Sequence, residues 1–296
     1  MNLYQINKIH SISLFFFCLI VFSLIDLGVE KIILDSACFF LIAIIGVSHG
    51  SLDHQKGYKI LKLYGIKNKS FFYLTYILIS LSVIIFWYFF PILTLLLFLI
   101  VASYHFGKED SNFGDVKKTK FLALFYFFKG TLIVLAPLWA NLEESLEIFS
   151  ILSVEVPQLN SDIILILIFF SVLSNIFINK NFEIAILDSL TIIILNIFLS
   201  PLVAFTVYFC FLHSIRHSIS LIQTLDKNNF KKGLKKFVIS ILPLTLITAT
   251  LFLISLYFLL NFYNLSDSIL KVIFIGLASL TFPHILLEYL LEKNEK

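Results

Sequence analysis

Long apolar stretches alternate with short polar segments along almost the whole chain. Each apolar stretch has about 20 residues, enough for a helix to cross about 30 Å of hydrocarbon. Charges, prolines and asparagines divide the chain into ten such stretches, which predicts an all-α integral membrane protein. The predicted transmembrane helices are 10–27, 32–52, 70–90, 91–107, 121–141, 162–179, 183–200, 201–222, 237–261 and 269–290.

Two of these boundaries depend on prolines. The uncharged run from Ser70 to Gly107 would form one helix of roughly 57 Å at 1.5 Å per residue, about twice the hydrocarbon thickness. Pro91 therefore predicts a break in this run. Ser200-Pro201 predicts a second break between the two helices that follow Asn181.

The distribution of lysines predicts the orientation in the membrane. With the N-terminus inside, the cytoplasmic segments contain eighteen lysines, and the outer segments contain only Lys31 and Lys271. Because cytoplasmic loops are enriched in positive charge, both termini are expected in the cytoplasm. The whole chain, residues 1–296, is then expected to form a single multi-pass domain in the plasma (inner) membrane.

The composition excludes several classes of protein. Hydrophobic residues make up 59% of the chain, charged residues 14%, and 34 residues are phenylalanine, so too little polar surface remains to cover a water-soluble globule. The net charge of +3 is spread over several short segments, which argues against a nucleic-acid partner. Cys18, Cys38 and Cys210 all lie in apolar stretches and are expected to be packing residues.

Six of the seven histidines lie in four short motifs, each in a different predicted helix. An ionisable side chain costs roughly 2.5–3.5 kcal/mol at the centre of a membrane, so such residues are candidates for function. The motifs are HGSLDH (His49 to His54), HFGKED (His105 to Asp110), HSIRH (His213 to His217) and PHILLE (Pro283 to Glu288).

Residues four apart lie on the same face of a helix, and every motif contains such a pair. A histidine that binds a metal usually donates its other ring N–H to a carboxylate or carbonyl, and HxxxH supplies two ligands from one face. The motifs thus predict a metal site with orienting acids. The pairs are His49 with Asp53, His105 with Glu109, His213 with His217, and His284 with Glu288.

The four motif-bearing helices are expected to run in the same direction, with each motif toward the inner end. The motifs therefore share one layer, which favours one site that binds a metal such as Fe(II), Cu(II), Zn or Ni. A proton relay and a structural polar network are the alternatives. Arg216 is expected to bind Asp53, Glu109, Asp110 or Glu288, and Lys129 to reach the inner surface rather than to form a Schiff base.

Taken together and in this order, the four motifs resemble the HGxxDH, HFGxxD, HxxRH and PHxxxE signatures of the membrane β-carotene 15,15′-dioxygenases of the Brp/Blh type. The resemblance implies a non-haem Fe(2+) that cleaves β-carotene with O₂ to give two molecules of retinal. The implied ligands are His49, His105, His213 and His217. The implied supporting residues are Asp53, Glu109, Glu288, His54 and His284.

This family would draw its carotene from the membrane lipid, and the retinal could pass to an opsin. Three other classes compete with it. Di-iron desaturases have HxxHH boxes, which this chain lacks. An intramembrane metal or proton transporter would distribute its polar residues across the membrane. A retinal-binding photoreceptor would need Lys129 as its Schiff-base residue.

Overall fold

The fold is known from a computed structural model of the chain. It describes residues 3–25, 28–111, 116–117, 119–157 and 159–294, and the side chains of residues 3, 4, 21, 23–25 and 49 lie outside the described part.

Within the described residues, the regular structure is helical apart from one bridge between Val116 and Asn179. The helices are α1 (Leu3–Ile25), α2 (Lys31–Leu63), α3 (Ser70–Phe89), α4 (Pro91–Glu109), α5 (Leu122–Ala140), α6 (Leu142–Ile151), α7 (Ser161–Ile178), α8 (Phe182–Phe198), α9 (Pro201–Leu225), α10 (Phe230–Leu259) and α11 (Leu265–Asn294). The all-α class is thus confirmed.

Eight of the described helices are long and apolar enough to cross a membrane: α2, α3, α4, α5, α7, α9, α10 and α11. In α1 the apolar part is shorter, at Gln5–Ile20, and α8 has 17 residues. The total of ten spans and the cytoplasmic position of both termini remain predictions.

The two proline boundaries are confirmed. Phe90, at φ −136° and ψ 61°, leaves the helical conformation between α3 and α4, and Ser200, at φ −58° and ψ 152°, does so before α9. Proline fits the first turn of a helix because the amide proton that it lacks would have no partner there.

Several helices extend beyond their predicted boundaries, and one helix was not predicted. Helix α1 begins at Leu3 and α10 at Phe230, each seven residues before the predicted start. Helix α2 continues past residue 52 to Leu63, because its polar last part still buries Ile60 and Leu61 on one face. Residues 142–151, which lie outside all the predicted helices, form the short helix α6. Its first turn contains Glu143 and Glu144, and negative charge near a helix N-terminus is stabilising.

Burial divides the helices into an outer and an inner set. Only 6% of the apolar stretch of α3 and 17% of that of α10 are buried within the protein. For α9 and α11 the corresponding shares are 67% and 56%. Apolar side chains on α3 and α10 therefore face the surroundings, as expected of lipid contacts, whereas α9 and α11 form the interior that contains two of the histidine motifs.

Helices α4 and α5 touch backbone to backbone at two glycines. A Cβ atom on Gly107 would lie 1.8 Å from the carbonyl oxygen of Tyr126, and one on Gly130 would lie 1.7 Å from that of Ser103. Small residues allow such close approach of membrane helices. This contact fixes the segment of α4 that contains His105.

Candidate metal centre

Four histidine side chains converge between α4, α9 and α11. They are His105, His213, His217 and His284, and each is at most 6% exposed. The ring centroid of His105 lies 5.5 Å from that of His213 and 5.1 Å from that of His284, while the rings of His217 and His284 are 6.5 Å apart. The structure therefore brings three of the predicted ligands together with His284, which was expected only to support them.

A carboxylate lies beside the Nδ1 atom of each of these four rings. When Nδ1–H donates to a carboxylate, the lone pair of the ring is on Nε2, the nitrogen that can then bind a metal. The distances are 2.9 Å from His213 to Asp110, 2.7 Å from His217 to Glu109, 2.7 Å from His284 to Asp53, and 3.5 Å from His105 to Glu288.

These Nδ1 pairs join different helices, whereas the helical repeat predicted pairs within one helix. Glu109 was expected to orient His105 and instead accepts the hydrogen bond of His217. His284 directs Nδ1 to Asp53, although its Nε2 atom does lie 3.6 Å from Glu288. The reason is that packed helices bring an acid from the facing helix to the ring nitrogen, and spacing along one helix carries no information about this contact.

Both α2 and α9 contain a π-helical turn next to the site, at Ile42–Gly46 and Tyr208–Ser214. Such turns occur frequently at functional sites. The hydroxyl of Ser214 donates to the carbonyl of Gly46 at 3.2 Å, and a Cβ atom on Gly46 would lie 2.5 Å from the ring of Phe209. The two irregular turns therefore pack directly against each other.

The side chain of His49 lies outside the described residues, but its backbone borders the cluster. His49 belongs to the 3₁₀ turn Val47–Leu52. A Cβ atom on the next residue, Gly50, would lie 3.9 Å from Nδ1 of His284. His54 has local contacts instead: its Nδ1 atom bonds the carbonyl of Ser51 at 2.9 Å, and its ring meets that of Tyr58.

Glu288 is the carboxylate with the most contacts to the cluster. Lys56 donates to its Oε1 atom at 2.9 Å, and Glu288 belongs to two groups whose potential ligand atoms all lie within 4.8 Å of one another. One group consists of His105, His284 and Glu288, and the other of Glu109, His217 and Glu288.

Several partners of the site were not predicted. The hydroxyl of Tyr208 donates to Asp110 at 2.6 Å, and that of Tyr76 donates to Asp53 at 3.1 Å. Asp110 ends the HFGKED motif, so its position in the motif was a signal for its role beside a histidine. Neither tyrosine belongs to a motif, although Tyr208 lies five residues before His213 on α9, and only the three-dimensional packing identifies them.

The expected partners of Arg216 were wrong. Its guanidinium makes two hydrogen bonds to Asp188, at 2.7 and 2.8 Å, and a third to the hydroxyl of Ser11. It thus joins α9 to α8 and α1.

Lys129 donates to the hydroxyl of Ser111 at 2.9 Å. It also borders, with Asp110 and Asp188, a cavity with room for about one water molecule.

The donor set fits a divalent first-row transition metal. Imidazole nitrogens and carboxylate oxygens are the available ligand atoms, and two histidines with one carboxylate form the set found in non-haem Fe(II) oxygenases. His105, His284 and Glu288 are such a set. Aromatic rings cover one side of the cluster: that of Phe106 is 4.7 Å from the ring of His213, and that of Phe209 stacks on it at 5.9 Å.

Comparisons with known proteins point to one family. A family model described as beta-carotene 15,15′-dioxygenase matches residues 40–292. A curated beta-carotene 15,15′-dioxygenase from uncultured marine bacterium 66A03 is 31% identical over 273 residues, which cover 86% of this chain and 93% of the relative. No solved structure matches the chain. The matched range includes all four histidine motifs.

Proposed function

Because the chain belongs to the β-carotene 15,15′-dioxygenase family, we propose that it uses O₂ and a histidine-held Fe(2+) to cleave β-carotene. Cleavage at the central 15,15′ double bond gives two molecules of retinal. The observation that carries this proposal is the buried cluster of four imidazoles, each with a carboxylate at Nδ1.

The side chains of the cluster have distinct roles in the proposal. His49, His105, His213 and His217 hold the iron, as the family resemblance implies, and the position of His284 supports adding it to this set. When bound, the iron supplies a redox centre at which O₂ reacts. The carboxylates keep the proton on Nδ1 of each ring and fix its orientation, as is usual for histidines that bind metals. These carboxylates are Asp53, Glu109, Asp110 and Glu288, and each contacts one histidine of the cluster.

The proposed route of the substrate follows from the apolar outer surface of the protein. β-Carotene is an apolar rod that dissolves in the bilayer, so the proposed route to the site is directly from membrane lipid. The rings of Phe106 and Phe209 beside His213 offer an apolar surface close to the metal ligands. In this proposal the protein is a multi-pass component of the plasma membrane, and the retinal is available to an opsin.

An intramembrane metal or proton transporter is the competing function. A transport path needs polar groups at successive depths across the membrane. Four of the described histidines and the carboxylates at their Nδ1 atoms instead meet in one compact cluster, which favours catalysis at a single position. The family match favours cleavage as well.

The first test is expression in bacteria that accumulate β-carotene, followed by chromatography of the extracted pigments. We expect retinal to appear and β-carotene to decline with the parent chain, and retinal to be absent with His213→Ala. Glu183→Gln changes an exposed residue that pairs with Lys8 and serves as the matched control. It should form as much retinal as the parent.

The proposal fails if cells that contain folded parent protein retain their β-carotene and form no retinal. It also fails if His213→Ala forms as much retinal as the control, because cleavage would then not depend on the histidine cluster. Release of products that derive from an off-centre double bond would contradict central cleavage.

A further inference from the structure

A row of aromatic rings leads away from the histidine cluster along α9. The rings of His213 and Phe209 are 5.9 Å apart with 12° between their planes, and those of Phe209 and Phe205 are 5.4 Å apart with 8° between their planes. The ring of Phe274, on α11, follows at 5.7 Å from that of Phe205. His213, Phe209, Phe205 and Phe274 together form the aromatic row.

The spacing of residues in α9 explains the row. Residues 205, 209 and 213 are four apart, so their side chains share one face of the helix. Eight residues at 1.5 Å per residue correspond to about 12 Å. The row is therefore a continuous surface of rings that begins at a proposed metal ligand and extends along the helix for about that distance.

The rings of the row become more accessible with distance from the cluster. His213 is 1% exposed and Phe209 5% exposed, and the ring of Phe106 meets both of them edge-on, at 4.7 and 6.1 Å. Phe205 and Phe274 are partly exposed, although they lie on the two interior helices α9 and α11. An apolar molecule that arrives from the surroundings can thus contact these last two rings, whereas protein covers the first two.

We propose that Phe205 and Phe274 bind one half of the β-carotene molecule. The inference rests on the proposed function and adds to it two residues that contact the substrate. The polyene of β-carotene is a flat conjugated π system, so it can lie against an aromatic face in the offset stacking that aromatic pairs favour. Because the row starts at His213, a polyene held at its far end lies beside the proposed metal ligands.

A saturated lipid acyl chain is the competing occupant of this surface. It has no π system, so it gains only apolar contact and no stacking from the rings. Leucine offers an acyl chain a similar apolar contact. Replacing the two phenylalanines by leucine therefore weakens the binding of a polyene and not that of an acyl chain.

The affinity for β-carotene tests this inference without turnover. Iron-loaded protein in detergent is titrated with β-carotene under nitrogen, where the proposed reaction cannot proceed, and binding is followed by the change in visible absorption of the polyene. We expect the dissociation constant to rise roughly 2- to 10-fold in Phe205→Leu and in Phe274→Leu, which is the usual contribution of an aromatic pair beyond its buried area.

The matched control is Phe125→Leu. It removes a partly exposed ring that stacks on Phe177 at 5.0 Å between α5 and α7, so it loses the same kind of contact outside the aromatic row. We expect it to bind β-carotene with the affinity of the parent. Melting temperatures of all variants without substrate show how much each ring contributes to packing.

Steady-state cleavage in air gives a readout that a purely structural role would not change in the same way. Both variants in the row should raise the KM for β-carotene by the same factor as the dissociation constant and keep the kcat of the parent. The reason is that the lost contact binds the substrate and the transition state equally. The iron content of both variants should equal that of the parent.

Three results would overturn the inference and leave the proposed function intact. The first is a dissociation constant in both variants equal to that of Phe125→Leu. The second is a lower melting temperature with unchanged affinity, because the rings would then serve packing alone. The third is a loss of iron and of kcat at unchanged KM, because the rings would then support the metal ligands. Parent protein that binds iron and β-carotene but forms no retinal in air would contradict the proposed function instead.

Discussion

A His284→Ala variant is expected to lose both bound iron and retinal formation. His284 is 4% exposed, its Nδ1 atom bonds Asp53 at 2.7 Å, and its ring lies 5.1 Å from that of His105. This is the arrangement of a ligand with its orienting acid, and it matches that of His217 with Glu109. Removing a partner outside the ligand set typically costs about 10–100-fold in metal affinity or activity. For a ligand we expect a loss beyond that range.

Tyr76→Phe provides the comparison for this variant. It removes only the hydroxyl that donates to Asp53 and to the carbonyl of Leu280, at 3.1 and 3.3 Å. The rate of retinal formation and the iron content should be measured for both variants in purified protein. Tyr76→Phe should keep its iron and lose less than about 100-fold in rate. If His284→Ala keeps its iron and loses no more rate than Tyr76→Phe, then His284 only supports the site.

The second large effect is on stability. Arg216→Met is expected to destabilise the fold by about 3–5 kcal/mol, because it leaves the carboxylate of Asp188 buried without its partner. The guanidinium is 1% exposed and makes two hydrogen bonds to Asp188 and one to Ser11. Thermal unfolding in detergent measures the effect, and most of the variant should fail to reach the folded state at growth temperature.

Two further variants test whether the lost ion pair, and not the lost packing of a long side chain, destabilises the fold. The double variant Arg216→Met with Asp188→Leu removes both charges and should recover much of the lost stability. Lys236→Met breaks an exposed pair with Asp226 and should leave the melting temperature unchanged. Equal melting temperatures for Arg216→Met and Lys236→Met would show that the buried pair does not stabilise the fold.

The sequence predicted the helical membrane fold because the signal is local. Apolar runs of transmembrane length and the breaks at Pro91 and Pro201 can be read from consecutive residues. The continuation of α2 to Leu63 and the short helix α6 were missed, because both are polar segments whose apolar residues are buried by other helices. The π-helical turns in α2 and α9 likewise have no sequence signature of their own.

The histidine cluster was predicted for the same reason, since ionisable residues are rare in apolar helices. The carboxylate partner of each histidine was not predicted, because it depends on how the helices face each other. Asp110 could have been chosen from its place in HFGKED, and Asp188 from its position in an apolar stretch. Tyr76 and Tyr208 are ordinary residues in membrane helices, and only their hydrogen bonds to Asp53 and Asp110 reveal them.

The most direct test of the proposed reaction is whether cleavage by the purified chain depends on metal and on oxygen. Metal-free protein is mixed with β-carotene in detergent, with or without Fe(II), under air or under nitrogen, and retinal is measured by chromatography. We expect two retinal molecules per β-carotene consumed, and only when Fe(II) and O₂ are both present. Retinal formation by the metal-free protein, or at the same rate under nitrogen, would contradict the proposed reaction.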